Sequence, residues 1–207
     1  MSDQTPLLEG VSVSRETLGQ LRDFSALVLK WTQKINLISS ASEEEIWQRH
    51  ILDSAQVYAA IPAGFSWNTW ADFGSGGGFP GIVIAILASE TDKNIILVES
   101  DQRKSTFLRT AIRTLGLTNV RVESRRIEDL APLNADVISA RALAALDMLC
   151  AFAAPHLADG GICLFPKGRR APEEIVAARA SWTFDLHEIP SQSGDGTILR
   201  LEGLTHG

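Results

Sequence analysis

The chain has 207 residues and a formal net charge of −6, because 25 Asp and Glu residues outnumber 19 Lys and Arg residues. Hydrophobic residues make up 45% of the sequence and charged residues 21%, so the apolar surface suffices for a folded core and a disordered chain is excluded. A protein that coats nucleic acid without preference would be strongly basic, and this class is excluded too. An enzyme acting on one nucleic-acid site is not excluded, because only the charge at its contact surface matters.

Targeting and metal-binding signals are absent from the sequence. No stretch approaches the roughly 18–20 apolar residues of a membrane span, and the start, MSDQTPLLEG, does not resemble a signal peptide. We therefore expect a cytoplasmic protein with no membrane partner. Cys150 and Cys163 lie in apolar segments and are expected to be small core residues. The four histidines are scattered, so the sequence predicts no metal site.

The first predicted element is an amphipathic helix over residues 14–38. Its apolar side chains recur at steps of three or four, which places them on one face. Ser14 and Ser12 are candidate N-caps, since a serine oxygen can accept a bond from a free N–H group of the first turn.

A second helix is predicted to begin at Ser42, which forms an S-x-x-E capping box with Glu45. It is predicted to end at about Ala60, before a proline. Together the two helices predict an N-terminal helical extension, residues 1–64, that packs on the core of the protein.

From residue 65 onward the pattern alternates between short apolar strands and helices. Strands are predicted over 68–73, 94–98, 120–122, 135–140 and 161–165, and helices over 82–89, 101–115, 144–158 and 172–181. Two final strands, 183–189 and 197–204, are joined by a Gly-rich loop and predict a hairpin. The sequence therefore predicts an α/β domain over 65–207, whose mostly parallel seven-stranded sheet ends in an antiparallel hairpin.

The most informative segment is DFGSGGGFPG, residues Asp72–Gly81, which follows the first strand of this domain. From Gly76 it matches the dinucleotide fingerprint G-x-G-x-x-G, and from Asp72 it resembles the first motif of S-adenosylmethionine-dependent methyltransferases. Both ligands require an acid at the end of the next strand to bind a ribose, and Glu99 stands there.

Phe79 and Pro80 favour the methyl donor over a dinucleotide. A pyrophosphate binds free N–H groups at the start of a helix, whereas this position holds a bulky ring and then a proline without an N–H group. S-adenosylmethionine carries no phosphate, and Asp72 is placed to lie near its charged amino-acid end, directly or through water. A glycine-rich turn that binds nothing and a short dehydrogenase remain as alternatives.

Further motifs accompany the glycine loop in a fixed order. They are Lys30-Trp31…Asn36-Leu37, Arg49-His50-Ile51-Leu52-Asp53-Ser54, Leu97-Val98-Glu99-Ser100, Arg103-Lys104…Phe107-Leu108, Arg126-Ile127-Glu128, Ala140-Arg141-Ala142 and Lys167-Gly168. With them, roughly residues 30–168 resemble the bacterial 16S ribosomal RNA guanine-N7 methyltransferases, also called the glucose-inhibited division protein B family. The glycine loop is generic, and R-H-I-L-D-S with S-A-R-A carries the specificity. Ile35, Ile38 and Pro166 depart from the residues that the family often has.

The resemblance implies a Rossmann-like class I methyltransferase fold with S-adenosylmethionine as donor. It implies guanine 527 of 16S ribosomal RNA as acceptor, within the small ribosomal subunit or an assembly intermediate. The donor-binding positions that it implies are Gly74, Phe79, Ile127, Glu128 and Arg141, to which the argument from the glycine loop adds Asp72, Gly76 and Glu99.

Methylation at guanine N7 needs alignment of the reactants and no general base, because N7 has a free lone pair and carries no proton. Positioning of this kind can supply roughly 7–11 kcal/mol. N7 lies in the deep, narrow groove of A-form RNA, so we expect an unpaired or flipped base.

The candidates for holding this base are His50, Asp53, Arg141 and Lys167. His50 and Asp53 are three residues apart and share a helix face. The alternatives are a local His50–Asp53 pair, a salt bridge from Arg141 to Glu128, and a solvated Lys167.

Local charge is uneven along the chain. Residues 101–126 carry a net charge of +5, and residues 167–170 add +3. These segments favour RNA over a small molecule as the substrate, unless the helix merely has a basic solvent face. A non-catalytic S-adenosylmethionine-binding regulatory module and a small-molecule methyltransferase remain as competing functions.

Overall fold

The computed structural model describes residues 4–8, 11–39, 43–192, 194 and 196–207. Its strands are β1 (Gln4–Leu8), β2 (Val11–Ser14), β3 (Thr69–Phe73), β4 (Asn94–Val98), β5 (Val120–Glu123), β6 (Ala135–Ala140), β7 (Leu157–Lys167), β8 (Trp182–Pro190) and β9 (Thr197–His206). Its α-helices are α1 (Arg15–Thr32), α2 (Asp53–Ala59), α3 (Gly81–Leu87), α4 (Gln102–Leu115), α5 (Leu146–Ala153) and α6 (Ala171–Ala178). A π-helix covers Trp47–Leu52, and a 3-10 helix covers Ile127–Asp129.

The main sheet has seven strands in the order β5-β4-β3-β6-β7-β9-β8. The first five run parallel, whereas β9 is antiparallel to both β7 and β8. This confirms the predicted α/β fold with its closing hairpin. The chain runs from β3 to β4 on one side of β3 and later returns to β6 on the other side of β3. This reversal opens a crevice at the carboxyl ends of β3 and β6, where such sheets bind ligands.

Two apolar cores cover the faces of the sheet. On one face, Leu21, Phe24 and Val28 of α1 are fully buried in the same cluster as Ile82 of α3 and Trp70 of β3. The other face is covered by α5 and α6. The N-terminal helices therefore pack directly on the sheet, and the division into 1–64 and 65–207 remains a prediction.

The first helix begins as predicted and ends earlier than predicted. Ser14 is its N-cap, with its Oγ accepting from the Thr17 backbone N at 3.1 Å. The helix ends at Thr32, so the predicted end at residue 38 is wrong. Ile35 and Ile38 pack against the same core from the turns that follow, which explains why the apolar spacing continues past the helix end.

The second predicted helix is also shorter than expected. Glu45 lies in a turn, and regular structure begins with the π-helix before α2 ends at Ala59, close to the predicted end. Ser42 lies outside the described residues, so the capping box stays a prediction. The β1–β2 hairpin was not predicted, since Val11 and Val13 offer only a brief alternation of apolar and polar residues.

The later elements follow the sequence more closely. The bounds of β4 and β6 are as predicted, and α4 begins after Asp101, whose side chain accepts from two backbone N–H groups. Gly116 ends α4 with a φ of +66°. The predicted helix over 144–158 is wrong at both ends, because Leu157 already belongs to β7 and pairs with Ala135.

In the described part of the chain, no helix is both long and apolar enough to cross a membrane. The same residues contain no group of three or more His, Cys, Asp or Glu side chains arranged for a metal ion. Cys150 and Cys163 are buried and unbridged, which confirms their place in the core. Burial raises the pKa of both thiols above the usual range.

We expect Gly81→Ala to lower the free energy of unfolding by about 1–3 kcal/mol in urea denaturation. An added Cβ would overlap the Leu97 side chain and lie 2.6 Å from the Asp72 Oδ2 atom. The matched control is Gly19→Ala in α1, where nothing lies within 4 Å of the added carbon. That control is expected to gain about 0.5–1 kcal/mol. Equal effects of the two substitutions would contradict the close packing at Gly81.

Candidate active site

The predicted site residues converge on the carboxyl edge of the parallel strands. The glycine loop follows β3, Glu99 follows β4, Arg141 follows β6 and Lys167 ends β7. The strand order places the ends of β3 and β6 next to each other, so Arg141 faces the glycine loop across the crevice.

The glycine loop turns through three left-handed residues. Gly74, Gly76 and Gly78 have φ values of 66°, 53° and 85°, a region that glycine enters at little cost. The backbone N of Gly76 donates to Glu99 Oε2 at 2.9 Å, and the backbone N of Asp101 donates to Glu99 Oε1 at 2.7 Å. An added Cβ on Gly76 would meet only the Gly74 carbonyl oxygen, at 3.6 Å. Open space therefore lies beside Glu99.

Asp72 is fully buried beneath this loop. Its Oδ1 accepts from Ser139 Oγ at 2.7 Å and its Oδ2 from the Gly81 backbone N at 3.2 Å. Burial raises the pKa of Asp72 to about 6, although these bonds favour the charged form. Both oxygens are turned into the protein, so we interpret Asp72 as a residue that positions the loop, and its direct contact with a donor remains a prediction.

His50, Phe79 and Arg141 form one cluster. The His50 ring stacks on Phe79 with a centroid distance of 4.8 Å, and its Nδ1 contacts Arg141 Nη2. Burial, followed by the charges of Arg141 and Arg49, lowers the pKa of His50 to about 4. The imidazole is therefore neutral near pH 7, with Nδ1 accepting from Arg141 and the proton on Nε2.

Arg141 is held by this cluster and by nearby carboxylates. Burial lowers the pKa of the Arg141 guanidinium. The charges of the nearby Asp53 and Asp72 raise this pKa, but by a smaller amount. Glu128, the partner considered from the sequence, is exposed. Arg141 Nη1 and His50 Nε2 are buried and have no hydrogen-bond partner among the described residues.

These groups fit the predicted donor. The free Nη1 of Arg141 suits a carboxylate such as that of S-adenosylmethionine. Each Glu99 oxygen accepts one backbone bond and has a second lone pair for a ribose hydroxyl.

Ile127 and Glu128 lie on the 3-10 helix after β5, where Ile127 is buried and Glu128 is exposed. His156 is buried near this turn, and burial lowers the pKa of its imidazole although the backbone groups of Ile127 and Ala131 act in the opposite direction. His156 belongs to no motif, and sequence reasoning missed its buried position near this turn.

The loop after Arg141 is strained and lies over the glycine loop. Ala142 has a φ of 52°, which is uncommon for a residue with a Cβ. Leu143 is 38% exposed, and its Cδ1 would lie 2.7 Å from a Cβ on Gly74. Gly74 is therefore required for its φ, whereas the exposed end of the Leu143 side chain can move away from an added Cβ.

A cavity of about 550 Å³ adjoins this cluster, and Asp53, Arg141 and Lys167 are among its lining residues. The structure thus brings three of the four base-binding candidates together, with His50 behind Arg141. Lys167 is not solvated, because its Nζ donates to the Ala144 carbonyl and to Glu174 Oε2, both at 2.7 Å. Sequence reasoning missed Glu174, which comes from α6.

The basic segment over residues 101–126 is largely on the surface. Arg103 and Arg121 form exposed ion pairs with the nearby Asp101 and Glu123, at 3.5 Å and 3.4 Å. Arg113, Arg125 and Arg126 are exposed as well. The last two lie in the loop after β5, at the same edge of the sheet as the glycine loop.

Several known proteins with similar sequences share one description. The family model for rRNA small subunit methyltransferase G matches residues 17–195. Ribosomal RNA small subunit methyltransferase G of Cereibacter sphaeroides (strain ATCC 17025) is 53% identical, covering 99% of this chain and 98% of that protein. The protein of the same description from Ruegeria sp. (strain TM1040) is 50% identical, covering 99% and 98%.

Solved structures agree on the fold. A ribosomal protein L11 methylase from Lactobacillus delbrueckii subsp. bulgaricus aligns with a TM-score of 0.57 at 19% identity, covering 77% of this chain and 78% of that one. A mutant of MtNAS in complex with S-adenosylmethionine aligns with a TM-score of 0.60 at 16% identity, covering 90% and 75%. The fold is that of the class I methyltransferases, as the resemblance implied.

We expect the stability difference between the wild type and His50→Gln to depend on pH. The pKa of His50 is about 4 in the folded chain against 6.5 ordinarily, so the unfolded chain takes up the proton first as the pH falls. The advantage of the wild type should shrink by about 1–2 kcal/mol between pH 7 and pH 4 in urea denaturation. Asp72 titrates in both proteins, so its contribution cancels from the difference in stability between them. Parallel pH profiles would contradict the buried neutral imidazole.

Proposed function

This chain belongs to the rRNA small subunit methyltransferase G family, and on that premise we propose that it methylates N7 of guanine 527 in 16S ribosomal RNA with S-adenosylmethionine as donor. The observation that carries the proposal is the cluster formed by the buried rings of His50 and Phe79 with the half-buried Arg141. It stands between the glycine loop and the 550 Å³ cavity, so one arginine borders both a donor site and an acceptor site.

Donor binding is assigned to the edge of the sheet. Glu99 accepts from the ribose hydroxyls, and Arg141 Nη1 pairs with the donor carboxylate. Ile127 and Glu128 border the adenosine side, Gly74 and Gly76 let the backbone approach, and Phe79 fixes the His50 ring. The bound donor supplies a methyl group already activated on a sulfonium.

Acceptor binding is assigned to the cavity beside Arg141. No proton leaves N7 during the transfer, so the chain has to orient the base and exclude water. His50 agrees with this, because its pKa of about 4 and its contact with Arg141 suit a neutral positioning group. Asp53, Arg141 and Lys167 are the lining groups proposed to hold the base.

Ribosomal RNA is favoured over a small molecule by the exposed basic surface. Arg125 and Arg126 lie beside the donor edge, and arginines of this kind bind phosphates and stack on bases. The substrate is 16S ribosomal RNA within the small subunit or an assembly intermediate, and the expected location is the cytoplasm. A regulatory module without catalysis would need no cavity beside the donor site.

The decisive assay supplies labelled S-adenosylmethionine with 30S subunits, or with bare 16S RNA, from a strain that lacks this enzyme. We expect one labelled guanine in the region of nucleotide 527, carrying the methyl group on N7. Subunits from a strain that has the enzyme are the control and should accept little label. Label in another base, or none in RNA, would reject the proposal.

We expect Arg141→Ala to weaken binding of S-adenosylmethionine by about tenfold or more in calorimetry, because a charged hydrogen bond contributes roughly 1.5–3 kcal/mol. The matched control is Arg22→Ala, which changes an exposed arginine of α1 and should leave the affinity unchanged. Equal affinities of the two variants would exclude Arg141 from the donor site.

A further inference from the structure

The cavity wall contains a built ion pair between Lys167 and Glu174. Their side chains are only 9% and 20% exposed, and Nζ lies 2.7 Å from Glu174 Oε2. Lys167 also donates to the Ala144 carbonyl, and Glu174 accepts from the Leu146 backbone N at 2.9 Å. Two of the three N–H groups of the ammonium are thus occupied, and the third is left for a ligand in the cavity that both residues line.

The neighbouring Glu173 shows that this arrangement is specific to Glu174. Glu173 is 78% exposed and pairs loosely with the exposed Arg170 at 3.6 Å. Both glutamates lie in the first turn of α6. Only Glu174 reaches the cavity, where it joins α6 to the end of β7 and to the first residue of α5.

The proposed reaction moves a positive charge onto the acceptor base. The N7 lone pair forms the new bond to the methyl carbon, the carbon–sulfur bond breaks, and its electron pair stays on sulfur. No proton is released, so the charge passes from the sulfonium to the purine. A lone ammonium beside that purine would oppose the transfer, since like charges repel most strongly where water is excluded.

Guanine presents a hydrogen-bond acceptor directly beside the reacting atom. Its O6 lies next to N7 on the same edge, and lysine is a common partner of that edge. A donor to O6 can hold the base while N7 remains free to react. An ammonium that is paired with a carboxylate still donates this bond but adds no net charge to the site.

Resting on the proposed function, we propose that Lys167 donates a hydrogen bond to O6 of the acceptor guanine. Glu174 is a positioning residue that holds the Lys167 Nζ atom and cancels its charge while the purine becomes cationic. The pair thereby selects a base that has an oxygen at this position, because adenine presents a donor amino group there.

The test compares Glu174→Gln with its matched control Glu173→Gln. The glutamine keeps an oxygen for the Leu146 N–H group and removes the charge. We expect kcat to fall about 10- to 100-fold, while KM and the filter-binding Kd for 16S RNA stay within about twofold of the wild type or decrease. Glu173→Gln should leave all three unchanged. A merely structural loss would instead raise KM and Kd and lower Tm.

A double-mutant cycle shows whether Glu174 acts through Lys167. Lys167→Met should lower kcat/KM, and adding Glu174→Gln to it should cause a smaller loss than in the wild type, because no ammonium remains to be held in place. An equal loss of kcat in both backgrounds would overturn the proposal, as would activity of Glu174→Gln equal to that of Glu173→Gln. Absence of methyl transfer to RNA by the wild type would overturn the proposed function together with this inference.

Discussion

The site depends on the fully buried carboxylate of Asp72. Asp72 ties together β3, β6 and α3 through its bonds to Ser139 and Gly81, and Trp70 Nε1 donates in turn to Ser139 Oγ. Its pKa of about 6 indicates that the desolvation of the charge outweighs the stabilisation by these bonds. These bonds nevertheless hold the glycine loop and the end of β6, which precedes Arg141, on the two sides of one crevice.

The N-terminal segment completes this crevice. Arg141 is half-buried and interacts with nearby carboxylates, and it contacts a neutral histidine that the π-helix brings from outside the sheet. Single turns of π-helix often occur where one side chain must be redirected toward a functional site. The R-H-I-L-D-S motif is explained in this way, because it places His50 against Arg141 and Asp53 in the cavity. The extension is therefore part of the site as well as of the core.

The sequence predicted the features that depend on local chemistry. The bounds of β4 and β6 and the N-cap Ser14 all follow from short patterns. The end of α1, the π-helix and the β1–β2 hairpin depend on packing between distant segments. Ser139, His156 and Glu174 were missed for the same reason, since each acts on a residue at least seven positions away. The roles of the site residues in binding remain predictions.

Charge balance connects the local site with the whole molecule. At the reacting edge, Arg141 faces the carboxylates of Asp53 and Asp72, and Lys167 is paired with Glu174, so each cation has a neighbouring anion. Exposed arginines such as Arg125 and Arg126 lie outside this centre, where phosphates can approach. For the proposed transfer of a positive charge from sulfur to a purine, the pairing of Arg141 and Lys167 with carboxylates reduces the repulsion between these cations and the product. The net charge of −6 is therefore an average over a basic approach surface, a balanced centre and an acidic remainder.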